Sequence, residues 1–378
     1  MAVEALESDV RAALATVRDP EIRKPITELG MVESVSVSDS GAVAVSVLLT
    51  VPGCPMKEQL TRDVTAAAQR VTGVTSVDVR LGVMTDAQRA ELRTTLRGDA
   101  PANEIPFAQP GSRTRVYAVS SGKGGVGKSS VTVNLAVALA QKGLSVGVVD
   151  ADIYGFSVPR MLGVTGRPTQ VEKMIMPPVV HDVKVISIGM FTPGNTAVVW
   201  RGPMLHRALQ QFLAEVFWGD LDILLMDLPP GTGDIAISVA QLIPSAELLV
   251  VTTPQLAARE VAERAGSIAL QTHQQIVGVV ENMSWLDLPD GSRMELFGSG
   301  GGQAVADSLA ASTGTRVPLL GQVPIDQSVR EGGDAGAPVV LTVPDSPAAV
   351  ALRSIADTLA ARQSSLVGRS LGLTPSHG

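Results

Sequence analysis

Apolar residues at Val3, Leu6, Val10, Leu14 and Val17 recur at three- and four-residue steps, which predicts an opening helix ending near Asp19-Pro20. Strict alternation then takes over: Val43, Val45, Val47 and Leu49 share one side of a predicted strand. An earlier strand over 31–37 and the turn residues Asp39-Ser40-Gly41 make the pair a hairpin. Helical spacing returns after Pro55 at Met56, Leu60, Val64, Ala67 and Val71, and Val77, Val79, Leu81 and Val83 alternate as a third strand. With a short helix after it, the segment 1–97 reads as a small α+β domain.

Residues 98–114 carry Pro101, Pro106, Pro110 and Gly111 without periodicity, the composition of an extended connector. Beyond them short apolar runs at 116–119, 146–149, 185–188, 223–226, 248–251 and 276–280 alternate with helical segments. Runs of that length suit strands buried on both faces, so 115–365 is expected to be a doubly wound α/β domain with a mostly parallel sheet. The tail 366–378 reads as frayed.

Charge narrows the function classes. The 30 basic and 37 acidic side chains give a formal net charge of −7, and aromatic residues are 3% of the chain, which disfavours nucleic acid as a partner. The acidic start of the chain is no secretory signal and no run of 18 apolar residues occurs, so a cytoplasmic protein away from membranes is expected. One cysteine, Cys54, excludes an intrachain disulfide, and the four histidines have no paired spacing for a metal.

A predicted strand ending at Ser120 runs into Ser121-Gly122-Lys123-Gly124-Gly125-Val126-Gly127-Lys128-Ser129-Ser130, and helical spacing follows at Val133, Val137 and Leu139. Its glycines let successive backbone N–H groups and the helix N-terminus face phosphate oxygens. Gly122 to Ser130 are therefore the expected ATP-binding residues, with Lys128 on the β and γ phosphates and Ser129 on Mg2+. Lys123 is the mark of the deviant Walker A class, whose extra lysine reaches the nucleotide of a partner subunit and makes hydrolysis depend on a homodimer. A solvated loop cation is the plain alternative. Asp152 and Asp227 close two of the predicted strands, where ligands bind in open α/β sheets. Asp227 is expected to act on Mg2+ through water and Asp152 to orient the attacking water, with Asp150 behind them; helix caps are the alternative for each. Gly231 and Gly233 would give mobility to a loop that senses the γ-phosphate.

The segments Gly122-Lys-Gly-Gly-Val-Gly-Lys-Ser129, Val149-Asp-Ala-Asp-Ile-Tyr-Gly155, Trp200-Arg-Gly-Pro203, Asp227-Leu-Pro-Pro-Gly-Thr-Gly-Asp234, Glu281-Asn-Met-Ser284 and Val323-Pro-Ile-Asp326 together resemble the Mrp/ApbC family of iron-sulfur cluster carrier ATPases. The front domain, through Asp19-Pro-Glu-Ile22, Leu29-Gly-Met-Val32 and Thr50-Val-Pro-Gly-Cys-Pro55, resembles the small domain found with iron-sulfur assembly systems. The resemblance implies slow ATP hydrolysis, a homodimer, delivery of clusters to apoproteins or other assembly factors, and an adenine pocket at Asn282 and Pro324. One departure cuts against it. The family usually carries Cys-Pro-x-Cys shortly after Glu-Asn-Met-Ser, whereas this chain reads Trp285-Leu-Asp-Leu-Pro-Asp-Gly-Ser292. Cys54 is then the only thiol to serve as an iron-sulfur ligand, and a packed turn cysteine is its other reading. A nucleotide-switched dimeric scaffold and a spatial-organising ATPase stay open beside the carrier.

Overall fold

Alternating positions of the N-terminal segment become a three-stranded sheet in the computed structural model, which describes residues 2–51, 56–97, 104–109, 111–153, 155–191, 202–231, 234–255 and 258–362. Helix α1 (Ala2–Leu14) precedes β1 (Val32–Val37) and β2 (Ala42–Leu49), which pair antiparallel with Val37 opposite Val43. Helix α2 (Lys57–Gln69) carries the chain to β3 (Ser76–Val83), which pairs parallel to β2, and α3 (Asp86–Arg97) follows. Val43, Val45, Val47 and Leu49 are buried in one cluster with Val10, Leu14, Leu60 and Val64 from the helices, as the alternation requires. Helix α1 stops before the expected Asp19 because Asp19 builds a turn of its own. Its Oδ1 accepts from the N–H groups of Glu21 (3.0 Å) and Ile22 (2.8 Å), which competes with continued helix.

The chain then runs through β4 (Arg115–Ser120), α4 (Lys128–Ala140), β5 (Val146–Asp150), α5 (Val158–Met161), the hairpin β6 (Thr169–Val171) and β7 (Met174–Met176), β8 (Val179–Val180), β9 (Val183–Ser187), α6 (Gly202–Glu215) and β10 (Ile223–Asp227). After these come α7 (Asp234–Leu242), β11 (Glu247–Thr252), α8 (Ala258–Thr272), β12 (Ile276–Asp287), β13 (Arg293–Met294), α9 (Gly301–Thr313), β14 (Leu319–Ile325), α10 (Gln327–Ala335), α11 (Val339–Thr342) and α12 (Pro347–Ala361). Nine strands make one sheet in the order β13-β12-β11-β4-β10-β5-β9-β8, with β14 paired to β12. The pairs from β14 through β12, β11, β4, β10 and β5 to β9 are parallel, and β13 is antiparallel to β12. Every residue of β5, β9 and β10 is buried, the condition of a sheet covered on both faces. Helix α4 is buried from Val131 to Ala140, so the helix that follows the glycine-rich loop is held on all sides. Among the described residues no helix is long and apolar enough to cross a membrane.

Some elements depart from the sequence pattern. The run expected at 185–188 is β9, ending at Ser187, whose hydroxyl accepts from Gly189 N–H (3.2 Å) and turns Ile188 out of the strand. Strand β12 continues past 280 because its extension pairs with β13 and β14. Strand β14 contains Pro324, a turn-type residue; among the described residues β14 pairs with β12 alone, and an edge strand tolerates proline. In the stretch expected to be an extended connector, a 3-10 turn at Pro106–Ala108 buries Phe107, and Ile105 is buried beside it.

Two compact units result, and the first is discontinuous in sequence. It takes in residues 166–179 and 215–219 besides the N-terminal residues, while the second comprises 103–165, 180–214 and 220–378. Val171, Met174, Met176 and Phe217 join the buried cluster of the first unit, and Arg93 pairs with Glu172 at 3.3 Å. Both inserted segments fall within 115–365, the stretch whose sequence pattern predicts a single second domain.

Candidate functional site

Parallel register sets the site. Asp227 lies opposite both Asp150 and Val119, and Thr252 opposite Glu281, so the carboxyl ends of β4, β5, β10, β11 and β12 meet at one edge of the sheet. The loop from Ser121 leaves that edge and enters α4 at Lys128. Gly127 sits at the N-terminus of α4 in the left-handed conformation (φ 77°), and no side chain caps the helix there. The first N–H groups of α4 therefore face the cleft and remain available to an anion. A Cβ on Gly127 would come within 2.2 Å of Asn282 Nδ2, so glycine is required twice over.

Lys123 to Ser130 line this cleft, with Asp152, Ser157, Met161 and Pro230 across from them. Lys128 is buried and its Nζ lies 2.7 Å from Asp227 Oδ2, which also accepts from Ser129 Oγ at 2.6 Å. Thr132 Oγ1 lies 2.9 Å from the other carboxylate oxygen, and Asp227 is fully buried. Asp227 thus gathers an ammonium and two hydroxyls at the mouth of α4. Ser129 and Asp227 supply the hard oxygen donors that suit Mg2+.

Asp150 is also fully buried and is held by Ser187 Oγ (3.1 Å) and by the N–H groups of Asp152 (3.2 Å) and Val158 (3.3 Å). Burial, followed by the charge of Asp227, pushes its pKa up to about 7, against the pull of the Ser187 and Asp152 hydrogen bonds and the Lys128 charge. Those bonds tie the ends of β5 and β9 to the start of α5. Asp152, two residues on, faces the cleft and accepts from Gly155 N–H at 3.1 Å. On the far side Gly231 N–H donates to Ser121 O (2.8 Å), which draws the loop after β10 over the start of the glycine-rich loop.

Asn282 packs on the nucleotide loop, its Nδ2 donating to Val126 O at 2.9 Å. Met283 beside it adopts a left-handed backbone (φ 59°). Pro324 lies in β14, next to Val323, which pairs with Asn282 of β12. The segment that replaces Cys-Pro-x-Cys is a closed turn between β12 and β13. Leu288 N–H donates to Ser292 O (2.9 Å), Asp290 accepts from the Ser292 N–H and hydroxyl, and Asp287 pairs with Arg293 at 3.2 Å. The Ser292 hydroxyl and N–H hold the Asp290 carboxyl below its usual range. Cys54, Arg201 and Gly233 lie outside the described residues.

Two site residues escaped the sequence reading. Thr132 carried a signal, because it follows Lys128 by one helical turn and must share its face. Gln255, whose Oε1 accepts from Lys123 Nζ, is 132 residues away along the chain and carried none.

A buried parallel sheet, a glycine-rich turn into a buried helix, and a strand-end carboxylate on the Lys-Ser pair of that turn define a P-loop nucleotide-binding protein. The family model described as a NUBPL iron-transfer P-loop NTPase matches residues 112–360, and that of an iron-sulfur cluster assembly protein matches 7–79. The chain belongs to this family of iron-transfer P-loop NTPases, with the assembly domain in front. It is 65% identical over 370 residues to the iron-sulfur cluster carrier protein of Mycobacterium tuberculosis strain H37Rv, covering 98% of this chain and 97% of that one. The carrier protein of Escherichia coli is 37% identical, over 95% and 93% of the two chains. Among solved structures, a nucleotide-binding protein of Archaeoglobus fulgidus in complex with ADP is 35% identical with a TM-score of 0.51, covering 59% of this chain and 87% of that one.

Proposed function

We propose that the protein is an ATP-hydrolysing carrier that delivers iron-sulfur clusters to apoproteins and works as a homodimer. The observation that carries the reading is the convergence of Lys128, Ser129 and Thr132 on Asp227 at the N-terminus of α4. The loop N–H groups and Lys128 bind the β and γ phosphates; Ser129 and Asp227 would hold Mg2+, which when bound would supply positive charge to the oxygens of the transferring phosphoryl group. Asp152 orients the water that attacks the γ-phosphorus as the bond to the β-phosphate oxygen breaks. Lys123 adds its charge to the γ-phosphate of the partner's nucleotide. Asn282 and Pro324 border the adenine.

Clusters are cargo here, and the ligand set differs from the one the family usually uses. With the turn at 288–292 free of cysteine, Cys54 is the one thiol of each chain, and a dimer offers two. Anaerobic reconstitution of the full chain and of Cys54→Ser with iron and sulfide tests this, read by visible absorption and metal analysis. Iron in the wild type that is lost in Cys54→Ser, with ATP hydrolysis kept, is expected. Equal iron in both rules out Cys54. No iron in either favours the second reading that the missing thiolates support, a dimeric switch driven by nucleotide alone.

The trans role of Lys123 has its own test. Chains inactivated by Lys128→Ala still carry Lys123 and are expected to restore ATP hydrolysis when mixed with Lys123→Ala chains. No recovery in demonstrated mixed dimers would remove that role.

A further inference from the structure

Lys123 has a partner that the proposed mechanism does not use. Its ammonium donates to the side-chain carbonyl of Gln255, in the loop that leaves β11, and among the described residues it forms no ion pair. The chemistry of that partner matters. An amide oxygen orients an ammonium without neutralising it, so the charge survives intact for a phosphate, and the bond exchanges far more readily than an ion pair with a carboxylate.

Gln255 is not on a free loop. The adjoining Pro254 packs directly on the start of α9, where a Cβ at Gly301 would fall 2.5 Å from Pro254 O and 2.9 Å from its Cα. The next residue, Gly302, donates its N–H to Glu281 Oε2 at 2.5 Å, and the other oxygen of that buried carboxylate accepts from Gln322 Nε2 at 2.7 Å. Glu281 in turn is followed by Asn282, which holds Val126 O. The nucleotide loop is thereby tied at two points, Lys123 and Val126, to the same β11–β12–α9 corner.

We propose that Gln255 is a positioning residue that holds Lys123 over its own nucleotide loop and sets how readily the lysine is released to a second copy of the chain. The inference rests on the trans reading of Lys123. A protomer that keeps its lysine on Gln255 is closed to its partner, and exchange of the amide for a phosphate oxygen of the partner's nucleotide opens it. Loss of the amide lowers the cost of dimer closure. A carboxylate in its place raises that cost, because the lysine must then leave an ion pair.

Steady-state ATP hydrolysis by the full chain, and its ATP-induced dimerisation followed by sedimentation, are measured against protein concentration for wild type, Gln255→Ala and Gln255→Glu; sedimentation is repeated for each in a Lys123→Ala background, which the trans reading leaves without hydrolysis. Gln255 is exposed, so both substitutions are compatible with the fold. Gln255→Ala is expected to lower the protein concentration giving half-maximal activity by roughly two- to tenfold, the net weight of one solvent-exposed hydrogen bond. Gln255→Glu is expected to raise it, with the increase shrinking as salt screens the new ion pair. Both shifts should appear in the dimerisation midpoint as well and vanish from it without Lys123, which a merely structural role would not produce. Activity that depends on concentration and on Lys123 but ignores both Gln255 substitutions overturns this inference alone. Shifts of equal size in the Lys123→Ala background also overturn it. Activity that is independent of Lys123 or of protein concentration removes the trans reading, and the inference with it.

Discussion

Lys128 and Asp227 illustrate how much one buried contact carries. Both are buried with Nζ and Oδ2 2.7 Å apart, so Lys128→Ala does more than remove the proposed phosphate contact. It leaves a buried carboxylate with only hydroxyl partners, a change that costs about 3 kcal/mol or more. Lys128→Ala is therefore expected to abolish ATP hydrolysis and to lower the melting temperature, and adding Asp227→Asn should recover part of the stability but no activity. Calorimetric melts of the two variants check this, and an unshifted melting temperature for Lys128→Ala would contradict the burial argument. A second buried carboxylate acts in the first unit. Burial, followed by the charge of Asp19, raises Glu21 from its ordinary 4.5 to about 7, and burial also raises Asp19. The folded chain then holds these protons more tightly than the unfolded chain does, so stability is highest below the unfolded pKa and falls as pH rises toward 7. Glu21→Gln removes the ionisation and is expected to add up to ~3 kcal/mol at pH 8 while changing little at pH 4. Urea unfolding at both pH values measures it; an equal effect at the two would show that ionisation is not the cause.

At the scale of elements, the junction of the nucleotide loop with α4 depends on backbone shape. Alanine at Gly127 would have to adopt a left-handed φ, at ~1–2 kcal/mol, and would press its Cβ into Asn282. Gly127→Ala is expected to weaken ADP binding at least about tenfold, and pairing it with Asn282→Ala should return only the steric share, leaving the conformational cost. Titration calorimetry with ADP separates the two, and complete recovery in the double variant would refute the backbone term. Asp152 lines the cleft from the turn after β5, on a different element from the loop N–H groups proposed to hold the phosphates. Asp152→Ala should accordingly keep ATP and slow its hydrolysis about a hundredfold, as expected for loss of a group that acts on the attacking water. Weaker binding with unchanged turnover per bound nucleotide would refute the assignment.

At the scale of the molecule, the interleaving of the two units governs how the chain can be cut. Residues 103–362 expressed alone keep Val171, Met174, Met176 and Phe217 but lose the N-terminal residues that complete their buried cluster. Newly exposed apolar surface of that kind favours association. The truncated chain is expected to bind a hydrophobic dye and to aggregate where the full chain does not, and polar substitutions at those four positions should restore its solubility. A monodisperse truncation without the substitutions would count against the interleaved first unit.

Much of this was legible before any coordinates. Alternation at 43–49 and the apolar runs of four or five residues revealed their strands because burial of a strand leaves a local pattern that needs no knowledge of the partner strand. The glycine-rich loop was legible because phosphate binding requires a local backbone shape with glycines and a Lys-Ser ending at fixed offsets. Thr132 was missed although its signal was local, one helical turn after Lys128. Other features depend on residues far apart in sequence. The strand at β14 was hidden because proline is tolerated only at a sheet edge, and edges exist only in the assembled sheet. The start of α9 against Pro254, the hold of Gln255 on Lys123 and the transfer of 166–179 and 215–219 to the first unit are likewise contacts across long separations. Local pattern determined the elements and the nucleotide loop; only tertiary packing could decide which distant side chains close around them, because those pairings leave no period in the sequence.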